Sequence, residues 1–510
     1  MSRMVRPAVP AAMFAVAAIV LSPAMARPQN TSSPSPSPGA QIYADTCSGC
    51  HGANLSGGRG PSLIAALAQR SDDQLVQTIT KGVPGTEMPA FGQIFSADQI
   101  KQVVSHLHTA ATSAAGASTK TVDPDKQVVQ SEKQTFRIDV VARGLELPWG
   151  MVFLPDGRML VSERPGRLRI IGKDGKLSDP IKGVPATYVW QDAGFLDIAL
   201  HPDYKRNGWI YLGYTDAIGG ALTPDVSTDP ATGKEIVRKP PSMTVIIRGK
   251  INAQNEWTDT QEIYRAPAAI YSEDTSHYGL RFMFDKQGHL FYTLGERGDM
   301  SNAQKLDNPL GKIHRINDDG SVPSDNPFVK TPGADATIWT YGNRHPQGLA
   351  IDRRTGIFWE AEHGPVGGDE INIIEPGKNY GWGVISMGKW PGIAKTSAPG
   401  MEQPIAYYTP AIAPSGIHFY TGNRYPGWTD SLFVAGLVGK QLRRLEIKGR
   451  QIVSQEVVIG NFGRIRTVIT GPDGLLYLLL QDPAGGNGKP APGTTPPGMV
   501  VRLVPLPPSG

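Results

Sequence analysis

The sequence predicts a mainly β protein, a six-bladed β-propeller preceded by a small all-α domain. The first observation behind this is a repeated design between residues 136 and 508: an alternating apolar run, a turn carrying Asp, then a second strand. It recurs in MVFLPDGRMLVSE, LDIALHPDYKRNGWIYLGYT, LRFMFDKQGHLFYTLGE, LAIDRRTGIFWEAEHG, the run Trp428–Phe433 and TVITGPDGLLYLLLQD. The second is composition: 59 Gly and 44 Pro suit turn-rich β structure better than helical bundles. The third is a change of period near the N-terminus, where helix-start patterns replace strand alternation. A length of 510 residues calls for two or three domains. A tandem of β-sandwiches is the rival architecture, disfavoured because the hairpin design recurs. A propeller by itself specifies no function.

In chain order, Arg3 and Arg6 precede the apolar run Ala11–Leu21 and the small-residue site Ala24-Met25-Ala26, which reads as a signal peptide over 1–26. The run is short for a bilayer span, so export to the periplasm with no stable membrane span after cleavage is expected; an uncleaved anchor is the alternative. Residues 27–40 are Ser/Pro-rich and read as a linker. A compact helical unit follows over 41–109. Ser71-Asp72-Asp73-Gln74 and Ser96-Ala97-Asp98-Gln99 both look like helix starts. The second opens a helix whose apolar face carries Ile100, Val103, Val104 and Leu107. Residues 110–135 are small and polar, a second linker, and 136–508 form the propeller, whose long insertion at 216–243 sits within one blade. The formal charge of +4 gives no support for nucleic-acid binding.

The helical unit carries Cys47-Ser48-Gly49-Cys50-His51, the only two Cys in the chain, and downstream Met88-Pro89-Ala90-Phe91. C-x-x-C-H is the haem c attachment pattern: both thiols bind the haem covalently and the His ligates iron. Met88 fits the other axial position, a ligand pair that raises the potential into the electron-transfer range. A redox dithiol or half a zinc site are the competing readings, and His106 and His108 are competing ligands on the last helix. Together the two motifs resemble a class I cytochrome c over about 70 residues. Thioether attachment outside the cytoplasm agrees with export.

The propeller half contains His277-Tyr278-Gly279-Leu280-Arg281, Glu296, the segment Tyr341 to Gly348, and Glu362-His363-Gly364-Pro365-Val366-Gly367-Gly368-Asp369-Glu370 continuing to Asn379-Tyr380-Gly381-Trp382. It also contains Arg464-Ile465-Arg466 and Gln191 within VWQDAGFLDIALHP. Alone, each has an ordinary reading: a hydrogen-bonded loop His, a Gly-rich turn, two solvated strand charges. An imidazole titrates near neutrality and suits a general base. Backbone carbonyls of a Gly-Pro turn suit calcium. Paired guanidinium forks suit planar carboxylates.

Together these motifs resemble the soluble quinoprotein glucose dehydrogenase/aldose sugar dehydrogenase family, which binds pyrroloquinoline quinone (PQQ) and calcium, over nearly the whole propeller. The resemblance implies that His277 is the general base at the sugar's anomeric hydroxyl, with Glu296, an Asp in the family, orienting it. It implies that Arg344 contacts the quinone, with His345 where the family has Asn, and that Gln191, Arg464 and Arg466 contact PQQ. The carbonyls of Gly364 and Pro365 match the calcium at PQQ; Glu370 and Tyr380 match a second calcium. Val438 stands at the position of a family Lys, and Lys440, two residues on, is expected to face the same side of a regular strand. Arg281 is expected to anchor its motif.

The expected activity is oxidation of an aldose-type sugar at C1 to the lactone with PQQ, the electrons passing to the chain's own haem and on to a respiratory acceptor. The linkers would let the small domain dock at the propeller mouth or swing away. Two alternatives stay open: a calcium-dependent propeller lactonase or hydrolase, and a binding propeller without PQQ.

Overall fold

A computed structural model describes residues 37–51, 55, 62–83, 88–116, 123–230, 235–483 and 493–507. The signal segment 1–26 and nearly all of 27–40 lie outside these residues.

The N-terminal unit is helical and corresponds to a cytochrome c domain. Short helical segments Pro38–Ile42, Tyr43–Cys47 and Ser48–His51 run together, followed by helices Leu63–Gln69, Asp72–Lys81 and Ala97–Gly116. Ser71 closes a capping box, its hydroxyl accepting from Gln74 N (3.3 Å) while Gln74 Oε1 accepts from Ser71 N (2.9 Å). Ser96 and Gln99 repeat the exchange at the last helix. Ile100, Val103, Val104 and Leu107 are all buried, as the 3.6-residue period requires.

Two expected boundaries shift. The first linker ends earlier, because helix already begins at Pro38, where a proline suits the first turn. The last helix continues to Gly116, since the Ala-rich run 110–116 has high helix propensity. The chain re-enters β structure at Val128–Gln130, and Asp123 and Asp125 are already tied to the propeller through Arg143 Nη2 (2.6 Å) and Val140 N (2.9 Å).

The propeller has six blades. The first holds strands Pro148–Phe153, Met159–Glu163 and Arg167–Ile171; the second starts Phe195–Leu200, Ile210–Ala217 and includes Ser242–Ile251 and Trp257–Arg265. The insertion at 216–243 forms its own two-stranded ribbon, Asp225–Thr228 with Glu235–Arg238. The third, fourth and fifth blades begin at Phe282, Pro346 and Pro414, each with four antiparallel strands in sequential order. The sixth begins Arg464–Thr470, Leu476–Asp482, Gly498–Pro505 and is completed by Thr135–Leu145 and Val128–Gln130 from the start of the domain. Five of the six recurring sequence units supply the first two strands of a blade; the run Trp428–Phe433 covers only the turn into the second strand of the fifth.

Arg281 forms the axle. It is buried, and its guanidinium meets Asp197 (3.3 Å) from the second blade, the Gln347 carbonyl (2.9 Å) from the fourth, Ser415 Oγ (3.3 Å) from the fifth and Thr467 Oγ1 (3.4 Å) from the sixth. It also lies 4.5 Å from the Trp149 ring of the first blade. One side chain thus links the first strands of every blade. A buried charge is tolerated only when partnered in this way.

Candidate active site

The haem-motif residues come first. His51 ends the short helix Ser48–His51 and is buried. Cys47 is partly buried in the same run, while the Cys50 side chain lies outside the described set. Met88 packs with Phe91, Phe95, Ile100, Val76 and Ile79. Gly82, at φ 68°, allows that approach: a Cβ there would lie 2.6 Å from the Met88 carbonyl oxygen. His108 pairs with Asp72 (2.7 Å) at the surface, and His106 packs 5.4 Å from the Tyr43 ring.

In the propeller, loops at the ends of the second to sixth blades bring most of the predicted residues together. His277 Nδ1 lies 2.7 Å from Glu296 Oε2, both side chains buried. With the carboxylate accepting, the imidazole proton is held on Nδ1 and Nε2 is left as the basic nitrogen. The added methylene of Glu296 therefore does not prevent the contact. Burial pushes the Glu296 carboxyl up to about 7, opposed by the Arg344 guanidinium. Gln191 is drawn in through Thr275, whose hydroxyl donates to its side-chain oxygen.

The His277 ring stacks on His345 at 4.6 Å, and His345 meets His363 edge-on at 5.0 Å. Gln347 Nε2 donates to His345 Nε2 (2.9 Å), and Arg466 Nη1 donating to Gln347 Oε1 (2.9 Å) fixes that amide. His345 is thereby a neutral ring with its proton on Nδ1. His363 Nε2 faces the Pro414 carbonyl (3.0 Å), and burial drives its pKa well below the ordinary value.

Arg344, Glu362, His363, Gly364, Pro365, Glu370, Tyr380 and Trp382 line a narrow pocket. Glu362 holds the Arg344 segment, accepting from Arg344 N (2.5 Å), His345 N (3.3 Å) and Asn343 Nδ2 (3.4 Å). Trp382 lies under the Arg344 guanidinium at 5.1 Å. Asp369 ties down the Gly-Pro loop, accepting from Gly364 N (2.8 Å), Ile412 N (2.6 Å) and Ala413 N (2.7 Å). Gly364 has no room for a side chain: a Cβ would sit 2.3 Å from the Gly367 carbonyl oxygen.

Glu360 and Glu362 are buried and Glu370 is half-buried, and the pKa values of all three are raised, first by desolvation; the Glu362 charge adds to the rise at the other two. Glu360 Oε1 and Asn372 Oδ1 are buried with no hydrogen-bond partner. Such orphaned oxygens and massed carboxylates suit a hard cation. Among the described residues no three His, Cys, Asp or Glu side chains converge as a ready-made metal cage, so a cation here would also draw on carbonyl oxygens such as those of Gly364 and Pro365. The Tyr380 hydroxyl is used inside the blade, donating to the Ile373 carbonyl (2.8 Å) and accepting from Glu375 N (3.0 Å).

On the far side of His345, positive charge accumulates. Arg466 is buried, and its pKa is driven well down by burial and by the guanidinium groups of Arg464, Arg281 and Arg164. The strand alternation expected of Arg464-Ile465-Arg466 is broken by register shifts on both sides of Ile465, yet the two guanidinium groups remain close enough to interact. Lys440 departs from expectation more clearly. It lies in the turn 437–440 at φ 49°, not on a strand, because Leu437-Val438-Gly439 leaves the sheet after Gly436. Its ammonium still feels Arg464 and Asp482, and burial lowers its pKa. Gln191, His277 and Lys440 all occupy the left-handed region, at φ 47°, 54° and 49°. Backbone strain of this kind concentrates where a side chain must be aimed.

Sequence reasoning quoted Glu362, Asp369 and Gln347 within its motifs but gave them no role; they position the residues it named. Only Gln347 left a signal, standing two residues after His345 on the same face of an alternating segment.

Comparison with known proteins identifies the family of each part of the chain. Residues 145–488 match the family described as Glucose / Sorbosone dehydrogenase. Residues 34–107 match the family described as Cytochrome C oxidase, cbb3-type, subunit III. The chain is 35% identical over 367 residues to aldose sugar dehydrogenase YliI of Escherichia coli, covering 70% of this chain and 93% of that protein. The crystal structure of a glucose dehydrogenase superposes with a TM-score of 0.62 at 35% identity, covering 72% of this chain and 98% of the other. The PQQ-bound aldose sugar dehydrogenase of Streptomyces coelicolor aligns at 26% identity with a TM-score of 0.55, covering 75% and 100%. A sugar oxidoreductase propeller joined to a cytochrome c domain accounts for both halves, and the chain belongs to the glucose/sorbosone dehydrogenase family.

Proposed function

We propose that this chain is a periplasmic, PQQ-dependent aldose dehydrogenase that oxidises the sugar at C1 to a lactone and delivers the electrons to its own haem c. The observation that carries the reading is the buried His277–Glu296 pair (2.7 Å), together with the cations gathered around the buried Arg466. When bound, PQQ with calcium supplies a two-electron acceptor, and haem c supplies a one-electron outlet.

The chain's own residues divide the work. His277 takes the anomeric hydroxyl proton at Nε2, while Glu296 holds the opposite nitrogen and stabilises the imidazolium that forms. Arg344, buttressed by Glu362 and Trp382, brings positive charge to the pocket and would hold a bound quinone there by its oxygen. Arg464, Arg466 and Lys440 concentrate cationic charge that a tricarboxylate such as PQQ would neutralise. The carbonyls of Gly364 and Pro365 suit the calcium beside it, and Glu370 the second calcium, whereas Tyr380 retains only its backbone for that purpose. Cys47 and Cys50 would hold the haem covalently, and His51 and Met88 would bind its iron.

A hydrolase reading leaves the cation cluster without a role. The test is to supply the purified protein with calcium and PQQ, add a panel of aldoses, and follow the haem spectrum. Sugar-driven haem reduction that vanishes without PQQ is expected. An unchanged haem across sugars and related alcohols and aldehydes sinks the proposal.

A further inference from the structure

The loop 364–368 has two faces. Gly364, Pro365 and Gly368 line the pocket, while Val366 packs against the cytochrome cluster of Phe91, Phe95, Ile100 and Met88. Lys389 adds a second contact, its ammonium 5.8 Å from the Phe95 ring. Lys389 N donates to the Val366 carbonyl (3.1 Å), so the two propeller residues are tied to each other. Asp369 and Thr409 pin the ends of the loop, through Gly364 N (2.8 Å) and Gly368 N (3.0 Å). The cytochrome edge that lands there carries Met88, the proposed iron ligand.

We infer that Val366 and Lys389 form the docking platform for the cytochrome's Met88 edge, and that electrons leave the propeller in this docked arrangement. The inference rests on the sugar-oxidising reading above. Oxidation of one sugar C–H and O–H to a carbonyl releases two protons and two electrons. The electrons leave one at a time, each reducing ferric haem to ferrous, with an external acceptor reoxidising the haem in between; the protons go to solvent.

One valine and one lysine make a contact far smaller than those that hold separate proteins together. It serves here because both partners share a chain, and tethering supplies a high effective concentration. The contact is therefore made and broken readily. An exposed Lys over an aromatic face adds a weak, orienting attraction.

The test uses the full-length protein carrying haem, PQQ and calcium, with Val366→Glu, Val366→Leu and Lys389→Glu variants. Three signals are followed: sugar-driven haem reduction by stopped flow, sugar-driven reduction of a small soluble dye, and hydrogen exchange of segments 91–95 and 364–368. Val366→Glu should lower the ratio of haem reduction to dye reduction roughly tenfold, the loss expected of a central contact residue. Lys389→Glu should lower it by roughly two- to threefold with dye turnover unchanged, and Val366→Leu should restore it. Exchange in 91–95 should rise in Val366→Glu even without sugar or PQQ. Unchanged ratios in both charge variants, or unchanged exchange, overturn the docking platform. Dye reduction without haem reduction in the unaltered chain also overturns it while leaving sugar oxidation standing. Loss of both signals overturns the dehydrogenase reading instead, and exchange then decides the docking alone.

Discussion

Arg281 and Arg466 are both buried, and Arg281 Nη2 reaches the Arg466 carbonyl (3.5 Å), yet the two guanidinium groups are opposite in design. Arg281 has a carboxylate partner, Asp197, and contacts reaching the other five blades. Arg466 is crowded by the Arg464, Arg281 and Arg164 guanidinium groups, opposed only at longer range by Asp192 and Asp197, and it donates to Gln347 and Ser415, both neutral. A buried charge with its counter-charge in place belongs to the scaffold. Buried like charges gathered at one end of a fold describe a site shaped for an anion.

The sharpest way to break this contrast is at the base. His277→Ala should reduce sugar oxidation by about 10²- to 10⁴-fold while the haem spectrum stays intact. Retained turnover would move the role to His345 or His363. Next, Arg281→Met strands Asp197 and should destabilise the propeller by about 3–5 kcal/mol in denaturant unfolding. Arg466→Met should change the stability of the PQQ-free protein by only about 1 kcal/mol, because removal of like-charge repulsion offsets the lost hydrogen bond. Its effect should appear instead as a lost thermal shift on adding PQQ. Equal destabilisation by the two substitutions would erase the distinction.

A third prediction concerns pH. With the Glu296 carboxyl raised to about 7, it is protonated below that value and ionised above it. Only the ionised carboxylate supplies the negative charge that stabilises the His277 imidazolium, so kcat/KM should climb as pH rises through about 7. Glu296→Gln should lower activity and remove that limb; an unaltered profile would detach Glu296 from the base. The smallest effect lies away from both arginines: Ser71→Ala should cost about 1 kcal/mol of cytochrome stability by opening a capping box.

Much of the scaffold was legible because its signals are local. Strand alternation around Asp-containing turns marks the inner hairpin of five blades, and Ser-x-x-Gln marks two helix starts. Lys440 was misread because the apolar run Leu432–Val438 continues beyond the last strand residue, Gly436. The helical reach of 110–116 was hidden by a composition that serves linkers and helices alike. The positioning roles of Glu362 and Asp369, both within a quoted motif, were not legible for a different reason. Their partners stand on other strands or loops, as with Asp369 and Ile412, and only closure of the ring brings them within reach.

That closure has a consequence for how the protein is made. The final blade borrows Thr135–Leu145 from the start of the domain and pairs it with Gly498–Pro505. Synthesis proceeds from the N-terminus, so the borrowed strand waits, unpaired on that edge, through the making of more than three hundred residues. During that interval the nascent chain has an open sheet edge beside an already complete cytochrome segment, the condition in which strands seek wrong neighbours. The strand that locks the ring is also the last to appear, which makes the assembly of this molecule most vulnerable at its very end.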